Sequence, residues 1–119
     1  MDATVATTQR VKGIADYDAA RQILTVVPKN GASKEFSTKD GVQIVSPDGS
    51  THDVPSLQDI DWPPGYDPTN TAKASLRQLE VTQKEGFKPR LILPKNERAE
   101  IIKNDLGQTT VKIMRKEQE

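Results

Sequence analysis

Proline and glycine cut this chain into short pieces whose apolar residues are mainly β-branched, a combination that leaves little room for anything but a β fold. Val and Ile together number seventeen against seven Leu, and eleven Thr join them. Branching at Cβ suits the pleated surface of a strand better than the turn of a helix. Most of the eight prolines and seven glycines fall between the apolar runs, where each ends a strand or shapes a turn.

Read in order, the runs pair naturally. Val11–Ala15 and Arg21–Val27 flank a short Asp-containing link, the pattern of a hairpin, and Pro28 ends its second arm. Glu35–Ser37 fits a short edge strand. Val42–Val45 and Thr51–Val54 flank Ser46-Pro47-Asp48-Gly49. In that turn Pro supplies its fixed φ at the first central position, and Gly supplies the positive φ that closes the turn. Leu91–Leu93 is a strand stopped by Pro94. Ala99–Lys103 and Gln108–Met114, joined through Asn104–Gly107, form a last hairpin, with a helix over 96–106 as the competing pattern.

Between these halves lies a proline-rich connector, residues 55–70, which holds the only Trp and one of two Tyr. Trp62-Pro63-Pro64-Gly65-Tyr66 can be neither helix nor central strand. Its largest side chain must therefore cap the core or dock on a partner. Trp and Tyr dominate interface hot spots, and proline lowers the ordering cost of docking, so Trp62, Pro63, Pro64 and Tyr66 are the candidate partner-binding residues. After the connector, Ala72, Leu76 and Leu79 share a helical face while Leu79–Thr82 alternates. A short helix over roughly 70–77 running into a strand satisfies both patterns.

Composition narrows function mainly by exclusion. At 119 residues the chain makes one domain. Its hydrophobic content is 34%, low even after Gly is added, against roughly 45–50% for an average protein on that wider count. Seventeen basic residues balance seventeen acidic ones, so no global field draws the chain to nucleic acid or membrane. A mild basic bias over 84–116 singles out Lys84, Lys88, Arg90, Lys95 and Arg98 as candidate nucleic-acid contacts. With Phe87 the sole aromatic among them, nucleic-acid binding is the weaker expectation. No run is apolar enough to span a bilayer or to act as a signal sequence. The expected setting is soluble and cytosolic in synthesis, with later incorporation into a virion in view.

Catalytic chemistry finds few footholds. There is no Cys and one His, which removes thiolate nucleophiles and Cys/His zinc sites. His52 and Asp53 are adjacent, and on a strand they point to opposite faces, so they do not form the Asp–His half of a triad. Asp16/Asp18 and Asp59/Asp61 pair carboxylates, but neither continues into a calcium-loop pattern; turn chemistry explains them. Asn30-Gly31-Ala32-Ser33-Lys34 lacks the second Gly of a phosphate loop. No catalytic, metal or cofactor residue is assigned.

The sequence thus predicts a small, mainly antiparallel β-sandwich or partial barrel over 11–116, with one short helix. An extended arm is expected over 1–10 and a polar tail over 117–119. The functional expectation is a non-enzymatic structural or interaction protein, a subunit of a larger assembly such as a decorating or joining protein of a virion capsid or tail. Its partners would be other protein subunits or further copies of itself. The alternatives are a nucleic-acid-associated accessory protein and a small occluding inhibitor.

Overall fold

A computed structural model describes residues 8–63, 66–69 and 77–116. The described residues form ten strands and one 3-10 turn: β1 (Thr8–Asp18), β2 (Ile23–Val27), β3 (Lys34–Ser37), β4 (Val42–Val45), β5 (Thr51–Val54), the turn Leu57–Asp59, β6 (Ile60–Asp61), β7 (Gln78–Lys84), β8 (Arg90–Ile92), β9 (Glu97–Lys103) and β10 (Thr109–Arg115). Seven strands make one sheet in the order β3-β2-β1-β7-β8-β4-β5, and three make a second in the order β6-β10-β9. The fold is mainly β, as the sequence predicts, and neither sheet closes into a barrel.

The long strand β1 organises the first sheet. Its first half pairs with β7, from Thr8↔Lys84 to Ile14↔Gln78, and its second half pairs with β2, from Ile14↔Val27 to Asp18↔Ile23. Thr8–Arg10, read from sequence as the end of an arm, is therefore part of a ladder. Gly13 sits where the two halves meet. A Cβ there would lie 2.1 Å from the Val27 carbonyl oxygen, so only glycine lets β2 end so close to β1. The Val42–Val45/Thr51–Val54 hairpin forms in the expected register, Val42↔Val54 to Val45↔Thr51. Gly49 closes its turn at φ +92, and the Gly49 N–H donates to the Ser46 carbonyl at 2.9 Å.

Two ladders depart from the antiparallel expectation. β4 runs parallel to β8, and β6 runs parallel to β10. Both join strands far apart in sequence, where no hairpin turn dictates direction. Strand β7 matches the alternation seen at Leu79–Thr82, whereas the helix expected over 70–77 falls mostly outside the described residues. The last hairpin is a β-hairpin from Glu97 to Arg115, and the helical alternative over 96–106 is not formed. β-branched Ile101, Ile102 and Val111 outweigh the helical spacing there.

The core lies between the two sheets. Val11, Ala15 and Tyr17 of β1, Leu24 and Val26 of β2, Val42 and Ile44 of β4, and Leu79 and Val81 of β7 alternate inward. Ile60, Val111 and Ile113 face them from the smaller sheet. The Tyr17 hydroxyl is buried with no hydrogen-bond partner among the described residues. A bond from the Ala99 N–H to Ser46 Oγ, 3.1 Å and buried, ties β9 to the turn after β4.

Candidate functional site

The connector is built from its caps upward. Ser56 caps the 3-10 turn, its Oγ accepting from the Gln58 N–H at 3.2 Å. Ile60 and Asp61 then pair with Val111 and Lys112. This pairing carries Trp62 inward, where it is only 7% exposed. Its Nε1 lies 3.4 Å from the Leu57 carbonyl, and its ring lies 4.8 Å from the Arg77 guanidinium. Arg77 in turn grips Glu97 in a buried two-point pair, at 2.7 and 2.6 Å. Glu97 also accepts from Arg115 at 3.3 Å, and Arg115 lies 3.9 Å above the Tyr66 ring.

The result is an aromatic–Arg–Glu–Arg–aromatic stack that clamps the connector to the roots of β9 and β10. A two-point Arg–carboxylate pair fixes geometry strongly, and a guanidinium over an aromatic face adds attraction. Of the candidate partner-binding residues, Trp62 and Pro63 are buried in the single chain. Tyr66 is half-buried and remains within reach of solvent. Pro64 lies outside the described residues.

The five basic candidates do not converge. Lys84 lies over the Phe87 ring at 5.4 Å. Lys88 pairs with Asp53 at 3.1 Å, and Arg98 pairs with Glu100 at 3.6 Å. Arg90 is exposed on β8. Lys95 alone joins a larger group. With Lys112, Lys116, Arg115, Tyr66 and the single acid Asp61 it lines an open groove of about 880 Å³. Lys95, Lys112 and Lys116 make no ion pair among the described residues. Their spacing in sequence hides this grouping, which the β9–β10 pairing creates by setting Asn96 beside Lys116, with Asp61 added from β6.

His52 and Asp53 lie on opposite sides of β5, Asp53 being engaged by Lys88 and by Gln43 Nε2 at 3.3 Å. Asp18 accepts the Ala20 and Arg21 N–H groups, as an Asp at a turn does. Among the described residues no three His, Asp or Glu side chains gather closely enough to hold a metal ion. No helix among them is long and apolar enough to cross a membrane.

The most distinctive surface is one that no sequence motif announced. From residue 101 to 110 the β9–β10 hairpin is exposed throughout. Ile101 is 57% exposed, Ile102 45% and Leu106 84%. Neighbouring strand residues point to opposite faces, so the hairpin carries an isoleucine on each face and a leucine at its tip. The tip is nevertheless well ordered. Asn104 Oδ1 accepts from the Leu106 and Gln108 N–H groups, both at 2.9 Å, and Asn104 Nδ2 donates to Gln108 Oε1. The only sequence signal was the adjacent Ile101-Ile102 pair, which a one-sided strand cannot bury on both faces.

Comparison with protein-family models, curated proteins and solved structures returns no match.

Proposed function

We propose that this chain is a non-enzymatic interaction protein, a subunit of a larger assembly whose contact is the distal β9–β10 hairpin. The observation that carries this reading is the exposure of Ile101, Ile102 and Leu106 on a hairpin braced by its own turn. Several large apolar side chains left exposed on one short element mark a contact site, and a preformed element binds with less ordering cost. The clamp at Trp62, Arg77, Glu97 and Arg115 supports the same reading from below, because it anchors the hairpin's root. A repetitive assembly, such as a virion capsid or tail decorated or joined by small β subunits, is a setting that such a contact suits.

The test is to purify the wild-type chain and the triple variant Ile101→Thr, Ile102→Thr, Leu106→Ser from the native source and compare their complexes. Wild type is expected to hold a stoichiometric complex that the variant loses while melting at the same temperature. An unchanged complex in the variant would overturn the reading.

A second reading rests on the groove lined by Lys95, Lys112, Arg115 and Lys116 beside Tyr66. Of these, the three lysines make no ion pair among the described residues, and cations next to an aromatic ring are what a single strand of nucleic acid or another polyanion meets in a binding groove. Oligonucleotide affinity measured across a salt series decides it. A groove of this kind loses affinity steeply as salt rises, and flat, weak binding counts against it.

A further inference from the structure

We infer that the hairpin's partner is a second copy of this chain, joined through antiparallel pairing of the two β9 edges. This rests on the hairpin being the contact surface, and it names what the hairpin binds.

Strand β9 is the open edge of the smaller sheet, and its backbone parity is fixed by three hydrogen bonds. The Asn104 N–H donates to the Gln108 carbonyl, and the Asn96 carbonyl accepts from the Lys116 N–H, so the even-numbered residues turn toward β10. The Ala99 N–H points the other way, to Ser46 Oγ. The odd-numbered residues of β9 therefore face outward. Ala99 is engaged by Ser46, and the Glu97 N–H donates to the Pro94 carbonyl. Ile101 and Lys103 are left with outward N–H and C=O groups that find no partner among the described residues.

A two-fold axis between antiparallel strands allows only registers in which like faces meet. Placing Glu100 opposite Glu100 of the second copy opposes like charges, which is unfavourable. Placing Ile101 opposite Ile101 sets Lys103 against Ala99, whose N–H is already taken. One register uses the outward N–H and C=O groups of both Ile101 and Lys103: Ile101 opposite Lys103 of the second copy, Ile102 opposite Ile102, and Glu100 opposite Asn104. It makes four backbone hydrogen bonds, closes an isoleucine pair on one face, and lays each Lys103 stem along an Ile101 on the other. The smaller sheets of the two copies become one continuous sheet. The outer edges of the larger sheet, β3 and β5, are only four residues each. They carry Lys34, Glu35 and Asp53, the kind of charge that blunts an edge.

Cysteine crosslinking tests the register, because the chain has no cysteine of its own. In this arrangement residue 102 faces itself at a non-hydrogen-bonded position, where Cα atoms lie about 4.5 Å apart, within the span of a disulfide. Under mild oxidation Ile102→Cys is expected to give a disulfide-linked dimer at least tenfold faster than Ile101→Cys. The backbone arm is Lys103→Pro, which deletes an outward N–H and leaves the ladder with β10 intact. It should weaken self-association more than tenfold without lowering the melting temperature. Equal crosslinking at 101 and 102, or a wild-type chain that stays at 13.1 kDa at all concentrations, overturns the inference. If the hairpin variants then still lose a complex with another protein, only the second copy is wrong and the hairpin remains the contact.

Discussion

Truncating Trp62 would strip the Arg77 guanidinium of the ring it lies against and open a hole beside Leu57. Trp62→Ala is expected to cost about 3–5 kcal/mol, the range for large aromatic-to-Ala changes in a core, read from urea denaturation. Glu97 is the more exacting position. Its side chain and that of Arg77 are almost wholly buried, and removing its carboxylate takes a two-point bond from Arg77 and a further one from Arg115. Glu97→Ala should cost about 3–5 kcal/mol. The double change Arg77→Met with Glu97→Leu should recover much of that loss, because apolar residues of similar volume replace a buried pair well. The Arg77–Glu97 pair was not legible from the sequence. Arg77 and Glu97 stand twenty positions apart, and no local pattern marks them as partners. The sequence supplied Trp62 as a residue that must either cap the core or dock, and the fold buries it beside Arg77.

At the scale of elements, the turn at 46–49 was the most legible feature, because each of its residues has a backbone reason to be there. Gly49 holds a positive φ, so Gly49→Ala should destabilise by about 1 kcal/mol, although open space surrounds the position. Asp48 in the same turn accepts from the Ser50 hydroxyl at 2.7 Å and from the Ser50 N–H at 2.9 Å. Those bonds, the hydroxyl's first, hold its carboxyl below the usual Asp value. A depressed carboxylate pKa stabilises the fold above the ordinary Asp range and loses that contribution as pH falls through the folded-state value. An NMR titration should find Asp48 protonating at lower pH than an ordinary Asp, and Ser50→Ala should move it back toward the ordinary value. The hairpins at 11–27 and 97–115 were legible for the same reason, since alternation and turn residues are local. The parallel ladders β4/β8 and β6/β10 were not, because their strands meet only through tertiary packing. The basic groove was hidden for a related reason, since Lys95 and Lys116 lie far apart in sequence and meet only where Asn96 pairs with Lys116 at the root of the β9–β10 hairpin.

For the whole molecule, a core held between two sheets supports one hairpin that reaches beyond it. If that hairpin serves contact and not folding, exchanging Ile101 and Ile102 for Thr should leave stability within about 0.5 kcal/mol of wild type, as surface changes do, while removing association. The division of labour has a physical basis. At the hairpin's root Glu97, Ala99, Val111 and Ile113 are buried, whereas 101–110 are exposed in the single chain. Backbone hydrogen exchange, followed residue by residue across a dilution series, tests the contact most directly. The amides of Ile101 and Lys103 should be protected at high protein concentration and released on dilution, while the amide of Ile102, bonded within the hairpin, should change far less. Fast exchange of Ile101 and Lys103 at every concentration, in a sample whose native mass shows it to be assembled, would contradict the account.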